Sequence, residues 1–114
     1  MKKTLIKNTA SFIVKLLAAK SYNQLHELDY NKELPLGYIE HAVAEYGGEV
    51  TVAPEDKAYR IDVIRHVDIK DKIFVDVLLW FDGQESDLTL QCVFHTDGIL
   101  HGLYRFSITD LDVL

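Results

Sequence analysis

Cysteine is nearly absent from this chain, and its scarcity limits the chemistry that the protein can perform. Cys92 is the single cysteine among 114 residues, which excludes an internal disulfide and any metal site built from several thiolates. The sequence also lacks a glycine-rich phosphate loop and a Gly-x-Ser-x-Gly nucleophile elbow. No apolar stretch approaches the roughly 18–20 residues of a membrane span. We therefore expect one soluble, cytoplasmic domain over residues 1–114, without a cofactor or a metal.

Basic residues are too few to balance the acidic ones. Twelve Lys and Arg face 18 Asp and Glu, so the formal net charge at pH 7 is −6. This balance argues against nucleic acid as a partner, because nucleic-acid binding normally requires a basic patch that displaces counterions. It permits binding to a basic protein, although a net negative charge can also serve solubility alone.

Three segments in the first half of the chain have the 3.6-residue period of amphipathic helices. The first spans residues 4–20. A capping-box pattern that begins at Ser21 predicts a short second helix. Pro35 suits the first turn of a third helix, which Gly47-Gly48 would end.

The apolar period changes from 3.6 to 2 in the second half of the chain. Alternating residues there predict four strands, over residues 59–67, 73–81, 88–95 and 104–108. Helices first and antiparallel strands afterwards indicate an α+β fold. We expect two or three N-terminal helices packed on a curved antiparallel β-meander of about four strands.

The last hairpin poses a register problem. Asp97-Gly98 is a strong turn signal, but a two-residue loop there puts the apolar faces of the two strands out of step. A three-residue turn, or a bulge near Gly102, would pair Cys92 with Tyr104 and restore the match. We predict one of these two solutions.

The two faces of the predicted sheet differ in character. The core face is apolar throughout and comprises Ile61, Val63, Ile73, Val75, Val77, Leu79, Phe81, Leu88, Leu90, Phe94, Tyr104, Phe106 and Ile108. The other face of the central strand carries Phe74, Leu78 and Trp80 around Asp76. A mixed surface with a central Trp is typical of a dimer or partner interface. The alternative is that a terminal segment covers these side chains.

Two residues of the predicted sheet could carry chemistry, and both have a structural interpretation. Asp76 would act as a general base only in a desolvated pocket, whereas Arg60 or Arg105 can pair with it across strands. Cys92 falls on the apolar side of its strand, which favours a buried, inert thiol over a nucleophile. We assign no catalytic residue.

Further polar residues gather at the predicted turns. The last hairpin would bring His95 near His101 with Asp97 between them, but a metal site needs a third ligand, so we interpret both as surface histidines. Acidic residues follow the central strand and end the chain; they are Asp82, Glu85, Asp87, Asp110 and Asp112. If these segments lie at one end of the sheet, they form an anionic rim around the Trp80 face.

Three stretches, residues 79–80, 86–90 and 108–114, resemble an uncharacterised family of small bacterial proteins. Its architecture is similar to the nuclear transport factor 2-like, or cystatin-like, superfamily. The resemblance implies a curved sheet wrapped round a long helix, often dimerising through the sheet. Some superfamily members are isomerases or dehydratases with an Asp/His pair inside the cone. Asp76 does not fit that position, because the alternation of its strand places it on the face that points away from the core. Small acidic bacterial proteins of this kind also resemble immunity proteins, which neutralise a toxin that is often a basic nuclease.

Two functions from different classes follow as expectations. The first is a non-catalytic, acidic protein-binding module, in its sharpest form an immunity protein for a bacterial toxin. The alternative is a small-molecule-binding protein or an isomerase-like enzyme with an open pocket between the first helix and the sheet. For the first, the expected contact residues are Phe74, Asp76, Leu78, Trp80, Asp82, Glu85, Asp87, His95, His101 and Arg105. A homodimer through the sheet is a further expectation.

Overall fold

The computed structural model describes residues 2–64 and 70–114. Three helices come first: α1 over Lys2–Ala18, α2 over Tyr22–Leu28 and α3 over Tyr38–Tyr46. They correspond to the three helices that the periodicity predicts. None of the helices in the described ranges has the length and apolar character needed to cross a membrane.

The helix ends depend on backbone conformation more than on the side chains that the sequence suggested. α1 ends where Lys20 adopts a φ of 57° and the Ser21 N–H donates back to the last turn, as in a Schellman motif. Ser21 precedes α2, but its side chain makes no capping hydrogen bond, so the predicted capping box is wrong. α3 begins after Gly37, whose φ of 96° lies in the left-handed region, rather than at Pro35.

The second half of the chain forms one antiparallel sheet of five strands. They are β1 (Val50–Thr51), β2 (Ile61–Ile64), β3 (Lys72–Phe81), β4 (Gln84–Leu100) and β5 (Leu103–Val113). β1 and β2 pair with successive parts of one edge of β3, and β4 followed by β5 extends from its other edge. The predicted α+β fold is confirmed. Of the strand predicted over residues 59–67, residues 65–67 lie outside the described residues.

β3 is the centre of the hydrophobic core. Every second residue from Ile73 to Phe81 is buried, and the residues between them are half-buried. The buried face of β3 packs in one cluster with apolar residues of all three helices. Its alternation agrees with the predicted core face. Val63 is an exception: it pairs with Val75 on this face, but it is 40% exposed because β2 lies at the sheet edge.

A buried hydroxyl links the first helix to the last strand. Thr9 is fully buried on α1, and its Oγ1 donates to the Leu5 carbonyl at 2.7 Å. The same oxygen accepts the Tyr104 N–H at 3.0 Å. This contact joins residues 95 positions apart in sequence and fixes where α1 crosses the end of the sheet.

Both long hairpins turn on two residues with positive φ, Asp82-Gly83 and His101-Gly102. This is the backbone of the type I′ turns that suit the twist of antiparallel strands. The predicted strands over 73–81 and 88–95 left residues 82–87 as a loop, which is wrong, because β4 already starts at Gln84.

Asp97-Gly98, the turn predicted for the last hairpin, lies inside β4. The pairing jumps there from His95 opposite Arg105 to Ile99 opposite Tyr104, which leaves residues 96–98 as a bulge. The predicted register is also wrong, since Cys92 faces Ile108. A bulge does solve the mismatch, but it lies on β4 and not near Gly102.

Candidate functional site

The face of the sheet turned away from the helices, called the outer face below, carries a row of acidic residues. Directly opposed residues of antiparallel strands share a face. The pairing places Asp62, Asp76, Gln91 and Asp110 side by side across β2, β3, β4 and β5. Of the three carboxylates in this acidic row, Asp110 accepts a hydrogen bond from the hydroxyl of Tyr38 on α3 at 2.9 Å. Asp62 and Asp76 are directly opposed, and none of the residues paired across the row is a cation.

Asp76 occupies the middle of the acidic row without an ion pair in the described chain. Its neighbour on β2 is Asp62. The expected pairing with Arg60 or Arg105 is wrong, because Arg60 lies 3.5 Å from Glu85 and Arg105 points to the other end of β4. Burial, and then the Asp62 charge, raise the pKa of Asp76. The row is therefore a place where a bound cation would relieve repulsion.

Large apolar side chains flank the acidic row on both sides. Phe74 lies in a row with Ile64 and Val93, and Leu78 and Trp80 follow on the opposite side of Asp76. Phe74, Leu78 and Trp80 are half-buried, and Ile64 is 46% exposed. The Trp80 indole Nε1 is buried and lacks a hydrogen-bond partner in the described chain. Such a group typically costs about 1–3 kcal/mol.

The expected cover by a terminal segment is not observed for this side of the sheet. α1 packs on the core face, and the C-terminal residues form β5 within the sheet. Tyr30 covers one end of the outer face, where its ring centroid is 4.8 Å from that of His95 and 4.7 Å from the Arg105 guanidinium carbon. Arg105 also lies 3.9 Å from Asp97.

His95 and Ser107 form a buried polar pair beneath Tyr30. His95 Nε2 is 3.0 Å from the Ser107 Oγ, and the backbone N–H of Asn31 also donates to that oxygen. Burial is the main cause that lowers the pKa of His95, so the ring is neutral at pH 7. A Ser–His contact can activate a nucleophile. Ser107, however, has no exposed surface, so this pair cannot meet a substrate and is part of the folded core.

Three residues of the predicted site are engaged elsewhere. Asp82 accepts a hydrogen bond from the Glu49 N–H at 3.1 Å and fixes the first hairpin turn. Asp87 accepts from the hydroxyl of Tyr46 on α3, which lies on the helix side of the sheet. His101 lies at the second hairpin turn and lines a groove beside α1, so its predicted approach to His95 on one face is wrong.

The sequence interpretation missed Asp29, which it placed in a polar loop. Asp29 is only 4% exposed, and its two carboxylate oxygens accept the N–H groups of Lys32 and Ile108, each at 2.9 Å. The neighbouring Tyr30 N–H donates to the Phe106 carbonyl at 2.8 Å. The segment after α2 thus pairs with the outer edge of β5. One signal was available in the sequence: an Asp side chain in a turn often accepts a nearby backbone N–H, as Asp29 accepts that of Lys32.

Cys92 is buried, as predicted, and burial raises the pKa of its thiol. A buried thiol in this state is a poor nucleophile. Across residues 2–64 and 70–114, no group of His, Cys, Asp and Glu side chains is arranged to hold a metal ion.

The largest groove described lies on the other side of the molecule, between α1 and the segment that connects β1 to β2. It has a volume of about 470 Å³ and its lining includes Lys7, Ser11, Lys57 and Tyr59. The space directly beneath α1 is filled instead, since the facing residues Val75 and Val77 have no exposed surface. The described residues therefore leave no open pocket at Val75 and Val77, where the alternative function would place one between the first helix and the sheet.

Comparison with known proteins identifies the family of this chain. No curated protein and no solved structure matches the chain. Residues 14–114 match a domain of unknown function, DUF7668, which covers α2, α3, all five strands and the last turn of α1. The chain therefore belongs to the DUF7668 family.

Proposed function

We propose that this chain is a non-catalytic binding module whose outer face docks on a basic partner protein. Its specific form, on this proposal, is an immunity protein that neutralises a toxin. The acidic row carries the proposal, because its two directly opposed carboxylates, Asp62 and Asp76, have no cationic partner among the described residues. Lys or Arg side chains of a partner would supply the missing charges and speed the encounter.

The flanking apolar side chains supply the other half of an interface. Phe74, Leu78 and Trp80 are large and half-buried, and Trp is among the residues that most often dominate binding energy. Charged residues are usually depleted from the centre of an interface unless the partner neutralises them. The combination supports a partner with cations at its own centre, such as a basic nuclease.

The same row argues against the expected homodimer through the sheet. Two copies stacked face to face would bring two acidic rows together and add to the net charge of −6 on each chain. Like charges brought together in one interface cost about several kcal/mol unless ions intervene. A homodimer is therefore an outcome that the experiment must distinguish.

Photo-crosslinking at Leu78 in cells of the protein's own host tests the proposal. A benzoylphenylalanine at Leu78 should form a product with a protein of net positive charge, and the same group at Glu45, on α3, should not. Asp76→Lys should reduce the product at least tenfold, whereas Asp56→Lys, in an exposed turn off the outer face, should not. A product with a second copy of this chain, or one unaffected by Asp76→Lys, contradicts the proposal.

Co-expression then tests the immunity form. The captured protein should arrest growth when produced alone, and this chain should restore growth. Trp80→Phe should weaken the protection, because it removes part of the aromatic surface. The fold should stay intact, because the indole N–H that is lost has no hydrogen-bond partner in the described chain. If the captured protein is harmless when produced alone, the immunity role is contradicted, and the proposal of a binding module still stands.

A further inference from the structure

The groove beside α1 has the size and shape of a small-molecule site. Its volume of about 470 Å³ lies within the roughly 300–1,000 Å³ that ligand pockets usually have. One wall is the exposed side of α1, and the other is the connection between β1 and β2 together with Ile61. It lies on the helix side of the sheet and shares no residue with the outer face.

The polar groups of the groove are mainly hydrogen-bond donors without partners. Lys7 and Lys57 are exposed and form no ion pair in the described chain. Tyr59 is half-buried, and its hydroxyl oxygen accepts the Ala53 N–H at 3.0 Å, which leaves the O–H hydrogen free to donate. The Ser11 hydroxyl has no hydrogen bond to another described residue.

The charge of this wall is opposite to that of the chain as a whole. α1 contains four lysines and no acidic residue, although the chain carries a net charge of −6. Among the described residues that line the groove, Glu55 is the one acidic side chain, against the cations of Lys7 and Lys57. The groove is therefore locally positive and attracts anions.

Asn8 adds an amide to the polar groups, and the rest of the lining is apolar. The apolar part consists of Val52, Ala53, Pro54, Ala58 and Ile61. Val52 is 44% exposed, so a ligand would remove apolar surface from water there. A few placed donors on an otherwise apolar wall are the usual composition of a site for a small organic molecule.

We propose that this groove binds a small organic anion, with a carboxylate or phosphate group between Lys7 and Lys57 and an apolar body against the Val52 side. The Tyr59 hydroxyl and Ser11 donate to the anionic group. This site shares no residue with the proposed partner surface, so an experiment that contradicts one proposal leaves the other untouched.

Nuclear magnetic resonance titration of the isolated, ¹⁵N-labelled protein tests the proposal. Hexanoate and hexyl phosphate are the two anionic probes, and hexanol and hexylamine are their neutral and cationic counterparts. Amide shifts should concentrate in residues 7–11 and 52–59 for the anions. The double variant Lys7→Gln/Lys57→Gln should weaken anion binding by about fivefold or more, since each exposed pair contributes up to about 1 kcal/mol.

Lys3→Gln is the matched control, because Lys3 lies on the same helix but does not line the groove. It should leave the affinity within twofold. Preference for hexyl phosphate over hexanoate, or the reverse, identifies the anionic group. Equal binding of hexanol, equal loss in the Lys3 variant, or shifts centred outside the groove would overturn the proposal, as would no shift with either anion.

Discussion

Asp62 on β2 and Asp76 on β3 stand directly opposite each other on the outer face, and neither carboxylate has a cationic partner in the described chain. Like charges at opposed positions of an antiparallel pair destabilise the sheet. The pair therefore weakens the free protein at the place where we expect a basic partner to bind.

Asp62→Asn should stabilise the free protein by about 0.2–1 kcal/mol, the usual range for a cross-strand pair. Urea unfolding at pH 7 measures the change. Asp56→Asn removes an acidic residue from an exposed turn without an opposing carboxylate and serves as the control. A destabilised Asp62 variant would show that the carboxylate makes a favourable contact, against the acidic-row interpretation.

The gain from Asp62→Asn should disappear in acid. The pKa of Asp76 is raised in the folded state, so the folded protein takes up this proton at a higher pH than the unfolded chain does. The penalty from the pair is thus fully present above the folded pKa and is relieved as the pH falls toward the ordinary value of 3.8. The free energies of unfolding of the wild type and the Asp62→Asn variant should differ at pH 7 and converge at pH 4.

Asp29→Ala should destabilise the protein by about 1–3 kcal/mol, because the buried Ile108 N–H loses its acceptor, whereas the N–H of the exposed Lys32 can bond to water instead. Asp29→Asn keeps one acceptor oxygen and should cost less. Hydrogen exchange at the Ile108 amide, which Asp29 Oδ2 accepts, should accelerate in the Ala variant. Unchanged exchange there would mean that the bond is not formed in solution.

The features predictable from the sequence are those that depend on local periodicity. The alternation of β3 identifies both of its faces, because apolar residues at every second position have one arrangement that buries them. The helices follow for the same reason. The resulting α+β arrangement needs no knowledge of which residues meet across the sheet.

The acidic row could not be predicted because it depends on register between strands. Asp62 and Asp110 each look like an ordinary polar position, and the pairings of β2 and β5 bring them into line with Asp76. The bulge at residues 96–98 shifts that register, and local turn propensity pointed to Asp97-Gly98 instead. Asp29 was missed for a related reason, since its partner Ile108 is 79 positions away.

Substitutions at the two glycines of this region should distinguish the turn from the bulge. Gly102→Ala should destabilise by about 1–3 kcal/mol, the cost of holding a side chain at its φ of 75°. Gly98 does not have a positive φ, and an added Cβ would require only the Arg105 guanidinium, at the far end of a flexible side chain, to shift. Gly98→Ala should therefore cost less, and thermal unfolding compares the two. The opposite order would place the turn at Asp97-Gly98.

His95 should make the protein less stable in mild acid. Burial is the main cause that lowers its pKa in the folded state; Lys72 and Arg105 act in the same direction, and Asp97 and Asp29 oppose it. Below the ordinary pKa of 6.5 this histidine is protonated in the unfolded chain but still neutral in the folded protein. The free energy of unfolding therefore falls as the pH drops toward the folded pKa.

His95→Gln isolates this effect from the other titrating groups. At pH 7.5 the variant should lose about 0.5–1.5 kcal/mol, the net worth of one hydrogen bond such as that to Ser107. Between pH 7.5 and pH 5.5 the wild type should lose more stability than the variant, because only the wild type holds a neutral histidine there. Equal losses in the two proteins, or a His95 resonance that titrates at or above 6.5, would mean that Tyr30 does not keep the ring covered in solution.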